Sequence, residues 1–153
     1  MSILFVNACV RKNSRTLVLA KHILSNMSGE VIEVNLNQEN IVPLNRELLE
    51  KRERLISGQN KNDPMFYYAR QFAEADEIVI AAPFWDLSFP GILKAYMEQI
   101  TVSGITFEYN NGIPCGLCKA KSLTYITTSG GPIFADFGYE YIKTLAKNFY
   151  GIN

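Results

Sequence analysis

A short polar stretch that follows the first apolar segment of the chain contains several cationic and hydroxyl side chains. They are Arg11, Lys12, Ser14, Arg15 and Thr16. A helical pattern begins at this stretch, and the backbone N–H groups at the start of a helix favour anions. These residues could therefore bind a phosphate. The alternative is a plain helix cap made by Ser14, with the cations facing water, and it stays open at this point.

An aromatic segment, bracketed by Pro83 and Pro90, follows the apolar run of residues 77–82. Its large side chains are Phe84, Trp85, Leu87 and Phe89. The β-branched run predicts a central parallel strand, and Pro90 predicts the first position of the next helix. In open α/β sheets, ligands lie outside the carboxyl ends of the strands, so this segment could hold a flat cofactor. The alternative is that these aromatic residues are core beneath a loop.

The elements that would position these residues alternate between strand and helix patterns. Apolar strand patterns cover residues 2–6, 31–36, 77–82 and 122–127, and helical patterns start at Ser14, Arg46, Pro64, Pro90 and Gly138. This alternation predicts an α/β domain with a parallel sheet. The loop Thr128-Ser129-Gly130-Gly131-Pro132 after the fourth strand would then lie beside the other two loops. Its glycines would let the backbone approach a planar ring, although an ordinary turn has the same composition.

Length and composition limit the classes of function. The 153 residues fit one domain, residues 1–153, and the 15 basic and 15 acidic side chains cancel, so we expect no nucleic acid and no anionic membrane as partner. No apolar run approaches the roughly 20 residues that span a bilayer, and no signal peptide is evident. The three cysteines are an odd number, which argues against a disulfide framework. We therefore expect a cytoplasmic protein.

Two further features carry possible chemistry. Cys115-Gly116-Leu117-Cys118 could be a dithiol pair or half a metal site. The pair lacks a helix start to lower its thiol pKa, and no second pair completes four ligands, so we expect small apolar residues in a loop and no metal. His22, the only histidine, falls within the first helical pattern, where it would be a surface or packing residue.

The strand pattern Ile105–Tyr109, followed by Asn110-Asn111-Gly112, predicts a small flap.

The last residues, 150–153, have the pattern of a helix end and the approach to another strand. Four parallel strands are predicted, where doubly wound sheets of this type usually have five. Either the chain is truncated or a partner covers the open edge of the sheet, since an exposed strand edge invites association.

The three loops in this order resemble the flavodoxin-2 group of FMN-dependent NAD(P)H oxidoreductases, which includes quinone reductases and azoreductases. The segment Cys9–Thr16 is similar to that group's phosphate loop, Ser-Pro-Arg-x-x-Ser-x-Ser/Thr, and departs from it at Cys9 and Val10. The segment Ala82–Leu87 is similar to Ala-Pro-Met-Tyr/Trp-Asn-Phe/Leu, with Asp86 where an amide is common. The segment Thr127–Gly131 resembles the loop over the pyrimidine edge of the flavin.

The resemblance implies a flavodoxin-like, doubly wound parallel sheet of strand order 2-1-3-4(-5), with the fifth strand absent or truncated. It implies FMN bound by Cys9, Arg11, Ser14, Arg15, Thr16, Pro83, Phe84, Trp85, Asp86, Leu87, Thr128, Ser129, Gly130 and Gly131. NADH or NADPH would reduce the flavin and leave. A small-molecule acceptor such as a quinone, azo compound or nitroaromatic would then bind where the nicotinamide was and accept the electrons. No side chain is implied as a catalytic acid or base. The group's usual homodimer implies that Tyr109 and Phe149 line the substrate side, serving the partner's flavin.

Two other functions remain open from the sequence. A one-electron carrier of flavodoxin type would bind FMN but no nicotinamide, although such carriers usually have an acidic excess that this neutral chain lacks. A truncated, non-catalytic chain with an interaction role would purify colourless and would not retain FMN.

Overall fold

A parallel four-stranded sheet forms the centre of the protein, as a computed structural model of residues 1–153 shows. Its strands are β1 (Ser2–Asn7), β2 (Glu30–Asn35), β3 (Glu77–Ala81) and β6 (Leu123–Ile126), in the order β2-β1-β3-β6. Strands β4 (Phe107–Asn110) and β5 (Ile113–Gly116) form a separate antiparallel hairpin. The predicted α/β fold and the strand order 2-1-3-4 are confirmed, and the sheet ends at β6.

Five α-helices connect and cover the strands. They are α1 (Arg15–Ser25), α2 (Arg46–Ser57), α3 (Tyr67–Glu74), α4 (Gly91–Ile100) and α5 (Phe137–Leu145). A 3₁₀ turn at Pro64–Phe66 precedes α3, and a π-helical turn at Ala146–Tyr150 extends α5. Helix α4 begins one residue later than predicted, because Pro90 has an extended ψ of 141° and is the residue before the first helical turn. No helix combines the length and the apolar character that crossing a bilayer requires.

The two faces of the sheet are buried in separate clusters, so the fold is doubly wound. Along β1, Leu4 and Val6 belong to the larger cluster, which includes buried residues of α3, α4 and α5. Their neighbours Ile3 and Phe5 belong to the smaller cluster, on the side of α1. Successive side chains of a strand point to opposite faces, so a central strand with both faces covered shows a continuous apolar run.

Helix α2 is anchored by a charged side chain. The Arg52 guanidinium donates to the carbonyl oxygens of Glu98, at 2.7 Å, and Gln99, at 3.3 Å, at the end of α4. The last carbonyls of a helix have no partner within the helix, and the C-terminal end of the dipole favours a cation. Arg52 is therefore half-buried against α4, whereas the other charged residues of α2 are exposed.

The β4–β5 hairpin is attached where the sheet strands begin. Lys121, which follows the hairpin, donates its N–H to the Asp76 carbonyl at 3.0 Å, and the Asp76 carboxylate accepts the N–H of Ser2, the first residue of β1, at 2.8 Å. The Phe107 ring packs on Phe149 with centroids 5.2 Å apart. The predicted flap is therefore present. It lies at the opposite end of the sheet from the loops that follow β1, β3 and β6.

Candidate functional site

A cavity of about 200 Å³ lies where the loops after β1, β3 and β6 meet. Ten residues line it: Arg11, Asn13, Ser14, Arg15, Thr16, Pro83, Phe84, Trp85, Thr128 and Gly130. All except Asn13 are among the site residues predicted from the sequence. Chain segments that are far apart in sequence thus form one concave surface.

Backbone hydrogen bonds that continue past the strand ends hold the loops side by side. Ala8 donates its N–H to the Ala81 carbonyl at 2.9 Å, which ties the first loop to β3. Ala82 donates to Ile126 at 3.0 Å, and Phe84 donates to the Thr128 carbonyl at 3.1 Å. The parallel register thus extends into the loops and sets their spacing.

One side of the cavity is suited to an anion. The Ser14 hydroxyl caps α1 by accepting the Leu17 N–H at 3.2 Å, whereas the N–H groups of Arg15 and Thr16 have no acceptor within the protein. The guanidinium groups of Arg11 and Arg15 add positive charge, and the first turn of α1 has no acidic residue. Free N–H groups, the helix dipole and two cations all favour negative charge at this point. Ser14 is both the cap and a wall of the cavity, so neither sequence interpretation excludes the other.

The other side of the cavity is aromatic. Phe84 and Trp85 are half-buried and line it. Trp85 and Ser88 exchange two backbone hydrogen bonds, of 3.1 and 2.8 Å, across a tight turn whose central residues Asp86 and Leu87 have φ angles of 51° and 64°. Phe89 packs instead on Tyr141 and the core, with ring centroids 5.6 Å apart. The segment therefore supplies both cavity wall and core.

Five predicted cofactor-binding residues do not line the cavity. Cys9 is buried, its thiol lies 3.7 Å from the Ala81 carbonyl, and burial raises the pKa of that thiol. Asp86 and Leu87 are exposed on the turn beyond Trp85. The Ser129 hydroxyl donates to the Gly131 carbonyl at 2.9 Å, within its own loop. A loop places only some of its side chains on one surface, and the sequence does not indicate which ones.

Tyr109 and Phe149, predicted to line the substrate side, lie at the opposite end of the sheet. Both pack on Phe107, with centroid distances of 5.3 and 5.2 Å. Tyr109 remains 59% exposed. Neither residue belongs to the cavity of its own chain, so any role there requires a second chain.

Sequence reasoning missed Asn13. The family pattern places a variable position there, so the resemblance carried no signal. Asn13 precedes the capping residue Ser14 in a polar loop, and this position could have indicated a role in the site. Residues that lead into a helix start lie close to its free N–H groups.

The remaining chemistry-bearing residues lie elsewhere. All three cysteines are free, and Cys115 lies in β5 rather than in the predicted loop. Burial raises the pKa of the Cys118 thiol to about 12, which suppresses the thiolate that redox chemistry and metal binding need. No group of three or more His, Cys, Asp or Glu side chains could hold a metal ion. His22 is exposed on α1.

Comparison with known proteins gives consistent matches. The Flavodoxin_2 family model, described as a flavodoxin-like fold, matches residues 1–153. A protein of Coprothermobacter proteolyticus named FMN-dependent NADH:quinone oxidoreductase is 37% identical over 98% of this chain and 81% of its own length. A protein of the same name from Lachnoclostridium phytofermentans is 38% identical over 94% of this chain and 77% of its own length.

Solved structures also match. The FMN-dependent NADH-azoreductase from Bacillus anthracis str. Ames Ancestor, solved in complex with FMN, has a TM-score of 0.81 and 25% identity. The match covers 99% of this chain and 83% of that one. Smu.1420 from Streptococcus mutans UA159 has a TM-score of 0.72 and 26% identity, covering 97% of this chain and 79% of that one.

Proposed function

The chain belongs to the Flavodoxin_2 family, and from this premise we propose that it is an FMN-dependent oxidoreductase that passes electrons from NADH to a quinone or azo acceptor. The observation that carries the proposal is the cavity in which cationic, aromatic and glycine-containing loops meet. Relatives at 37% and 38% identity are named FMN-dependent NADH:quinone oxidoreductases, and their names favour an enzyme over an electron carrier or a non-catalytic chain.

The residues present fit FMN. Arg11, Arg15 and the free N–H groups of α1 suit its phosphate, and Phe84 and Trp85 offer apolar surface to its ring. Around Gly130, no atom beyond its two chain neighbours lies within 4 Å of the place where a Cβ would stand, which leaves space for a planar group. When bound, FMN supplies the two-electron hydride chemistry that no protein side chain provides.

We assign binding, orientation and exclusion of water to the protein's own residues. Arg11 and Arg15 neutralise an anion at the start of α1, where Ser14 both caps the helix and lines the cavity. Phe84 and Trp85 exclude water from one side of the cavity. None of the ten lining residues is a histidine, carboxylate or thiol. We therefore propose no side chain as a catalytic acid or base.

A homodimer that shares its substrate sites is part of the proposal. Tyr109 and Ile113 of the hairpin are 59% and 66% exposed. Phe134 and Phe137, in and next to the loop after β6, are 88% and 62% exposed. Apolar surface of this kind is typical of interfaces between chains. Association of two chains could bring Tyr109 and Phe149 of one to the cavity of the other.

We further propose that residues 1–153 form one domain and that the protein is cytoplasmic. Both core clusters share the same central sheet, which supports one folding unit. Three free cysteines are typical of a reducing compartment.

The test begins with the absorption spectrum of the purified protein after loading with FMN. We expect retained flavin absorption that bleaches when NADH is added anaerobically and returns when a quinone is added. A retained flavin that NADH does not bleach would instead indicate an electron carrier. A protein that retains no FMN would contradict flavin binding altogether.

The cationic side of the cavity provides a sharper prediction. Arg11→Gln and Arg15→Gln should each weaken FMN binding by roughly tenfold or more, because each removes a charge-assisted contact to the phosphate. Riboflavin, which lacks the phosphate, should bind the variants and the wild type alike in fluorescence titrations. Lys12→Gln is the matched control, since Lys12 is in the same loop but does not line the cavity. An equal loss in all three variants would refute specific phosphate contacts.

A further inference from the structure

A hydrogen bond between two hydroxyls joins the first and third loops of the cavity. Thr16 Oγ1 lies 2.7 Å from Thr128 Oγ1, although the residues are 112 positions apart in the chain. The Thr128 carbonyl also accepts the Phe84 N–H from the second loop at 3.1 Å. Thr128 is therefore bonded to both of the other loops.

Thr16 lines the cavity but has very little accessible surface there. It is 1% exposed, whereas Arg11 and Arg15 beside it are exposed. A threonine hydroxyl has a single proton, and the partner it has within bonding distance here is Thr128. Thr16 therefore acts on the cavity through Thr128, which is itself only partly buried.

The loop that Thr128 begins has few other attachments. Within residues 129–136, the side-chain hydrogen bonds of Ser129 stay inside the loop. The next backbone bond to another element is from Phe137 to the Leu87 carbonyl at 2.9 Å. Ile133 and Phe134 between them are 47% and 88% exposed. The position of this cavity wall therefore depends on its two ends, and Thr128 is the end at the cavity.

We propose that the Thr16–Thr128 hydrogen bond is a latch that presets the cavity before the flavin binds, and that both threonines are positioning residues. The resemblance implies that Thr16 contacts the phosphate and Thr128 the ring, and the hydrogen bond between the two hydroxyls is a contact that it did not imply. The ligand in this inference rests on the proposed function, whereas the latch itself is a property of the ligand-free chain.

Loss of the latch should reduce the fraction of molecules whose loops are ready to bind. The apparent dissociation constant of a ligand equals its intrinsic dissociation constant divided by that fraction. The same factor applies to every ligand that needs the preset cavity. FMN and riboflavin should therefore be affected equally. A direct contact to the phosphate would affect FMN alone, so the two ligands separate the two roles.

The experiment is a double-mutant cycle with Thr16→Val, Thr128→Val and the double variant, each titrated with FMN and with riboflavin. We expect each single variant to weaken both ligands by about threefold to tenfold, the effect of one hydrogen bond. The double variant should be no weaker than either single variant, because the bond is already lost. Thr128→Ser, which keeps the hydroxyl, should bind both flavins more tightly than Thr128→Val.

Three results would overturn the latch: a loss of FMN affinity with riboflavin unchanged, additive losses in the double variant, or no loss at all. If Thr16→Val does not fold, Thr128→Val and Thr128→Ser carry the comparison, because Thr128 is partly exposed. Hydrogen exchange over residues 129–136 of the ligand-free protein gives an independent readout, expected to be faster in Thr128→Val than in Thr128→Ser. A wild type that binds neither flavin but shows this difference would contradict the proposed function and leave the latch standing.

Discussion

Leu87 holds a backbone conformation that its side chain disfavours. Its φ of 64° lies in the left-handed region, next to Asp86 at 51°, in the turn that carries Trp85 into the cavity wall. For a residue with a Cβ, this conformation costs about 1–2 kcal/mol of free energy, whereas glycine adopts it without that cost. The two backbone bonds between Trp85 and Ser88 hold the turn in place. Such strain is common at ligand sites, where the surrounding structure enforces it.

We predict that Leu87→Gly raises the free energy of unfolding by up to about 1 kcal/mol. Relief of the strain exceeds the cost of the more flexible unfolded chain, which is about 0.4–1 kcal/mol. Leu87→Ala is the control, since it removes the partly exposed side chain and keeps the strain. Urea unfolding at unchanged m-value measures both variants. A glycine variant no more stable than the alanine variant would show that the turn is unstrained.

Cys118 is a second residue whose surroundings determine its chemistry. Its thiol lies 3.5 Å from the Thr106 carbonyl, beneath the hairpin, and burial raises its pKa from 9.0 to about 12. The unfolded chain therefore loses the proton at lower pH than the folded chain. The stability that this thiol contributes is complete below pH 9 and declines as the pH rises towards 12.

The prediction concerns the difference in stability between the wild type and Cys118→Ala. Above pH 9 this difference should shrink by roughly 1 kcal/mol per pH unit, because one proton is released on unfolding. Tyrosines titrate in the same range, but both proteins contain them, so their effect cancels. Urea unfolding at several pH values between 7 and 10.5 measures the two curves. Parallel curves would mean that the folded protein does not protect the thiol.

At the scale of elements, the Arg52 side chain attaches the peripheral helix α2 to α4. Arg52 donates to carbonyl oxygens at the end of α4, and burial lowers the pKa of its guanidinium without discharging it at neutral pH. The segment that precedes α2 is attached to α4 as well, because Gln99 donates to the Val42 carbonyl at 2.9 Å. The long polar excursion after β2 is therefore docked rather than free.

We expect Arg52→Ala to lower the free energy of unfolding by about 2–3 kcal/mol, since it leaves partly buried carbonyls without donors. Arg54→Ala, on the exposed side of the same helix, should change stability by no more than about 0.5 kcal/mol. Chemical denaturation of the two variants side by side makes the comparison. Equal effects would mean that the Arg52 contacts add nothing beyond helix propensity.

At the scale of the whole molecule, the two predicted halves of the substrate site lie at opposite ends of the sheet. The cavity lies where the strands end, and the hairpin with Tyr109 is attached where they begin. One chain cannot bring these ends together without unfolding its core. A shared site between two chains resolves this separation and follows from the proposed homodimer.

A complementation experiment tests the shared site. Tyr109→Ser chains and Arg11→Gln/Arg15→Gln chains should each be poorly active as homodimers, in substrate use and in FMN binding respectively. A mixed dimer should regain activity, because one of its two sites combines an intact cavity with an intact Tyr109. Refolding the two chains together and assaying NADH oxidation measures this. Activity no higher than that of either parent would mean that Tyr109 does not serve the partner chain.

The sequence by itself determined the elements, their order and the three loops. Period-two and helical patterns are local, as are capping residues and prolines, so the strands of the sheet and the capping of α1 by Ser14 could be predicted. The parallel arrangement then required the loops after successive strands to share one edge of the sheet. The convergence of cations and aromatic residues follows from these local signals.

Only the tertiary structure decided which side chains reach the cavity. In the structure, Cys9 points inward, Phe89 packs in the core and Arg52 contacts α4. Tyr109 packs on Phe107 of the hairpin, away from the cavity of its own chain. Thr16 also pairs with Thr128, across 112 residues. Each of these outcomes depends on contacts between distant segments, whose register and facing surfaces are set by the packing of the whole core. No local pattern in the chain specifies them.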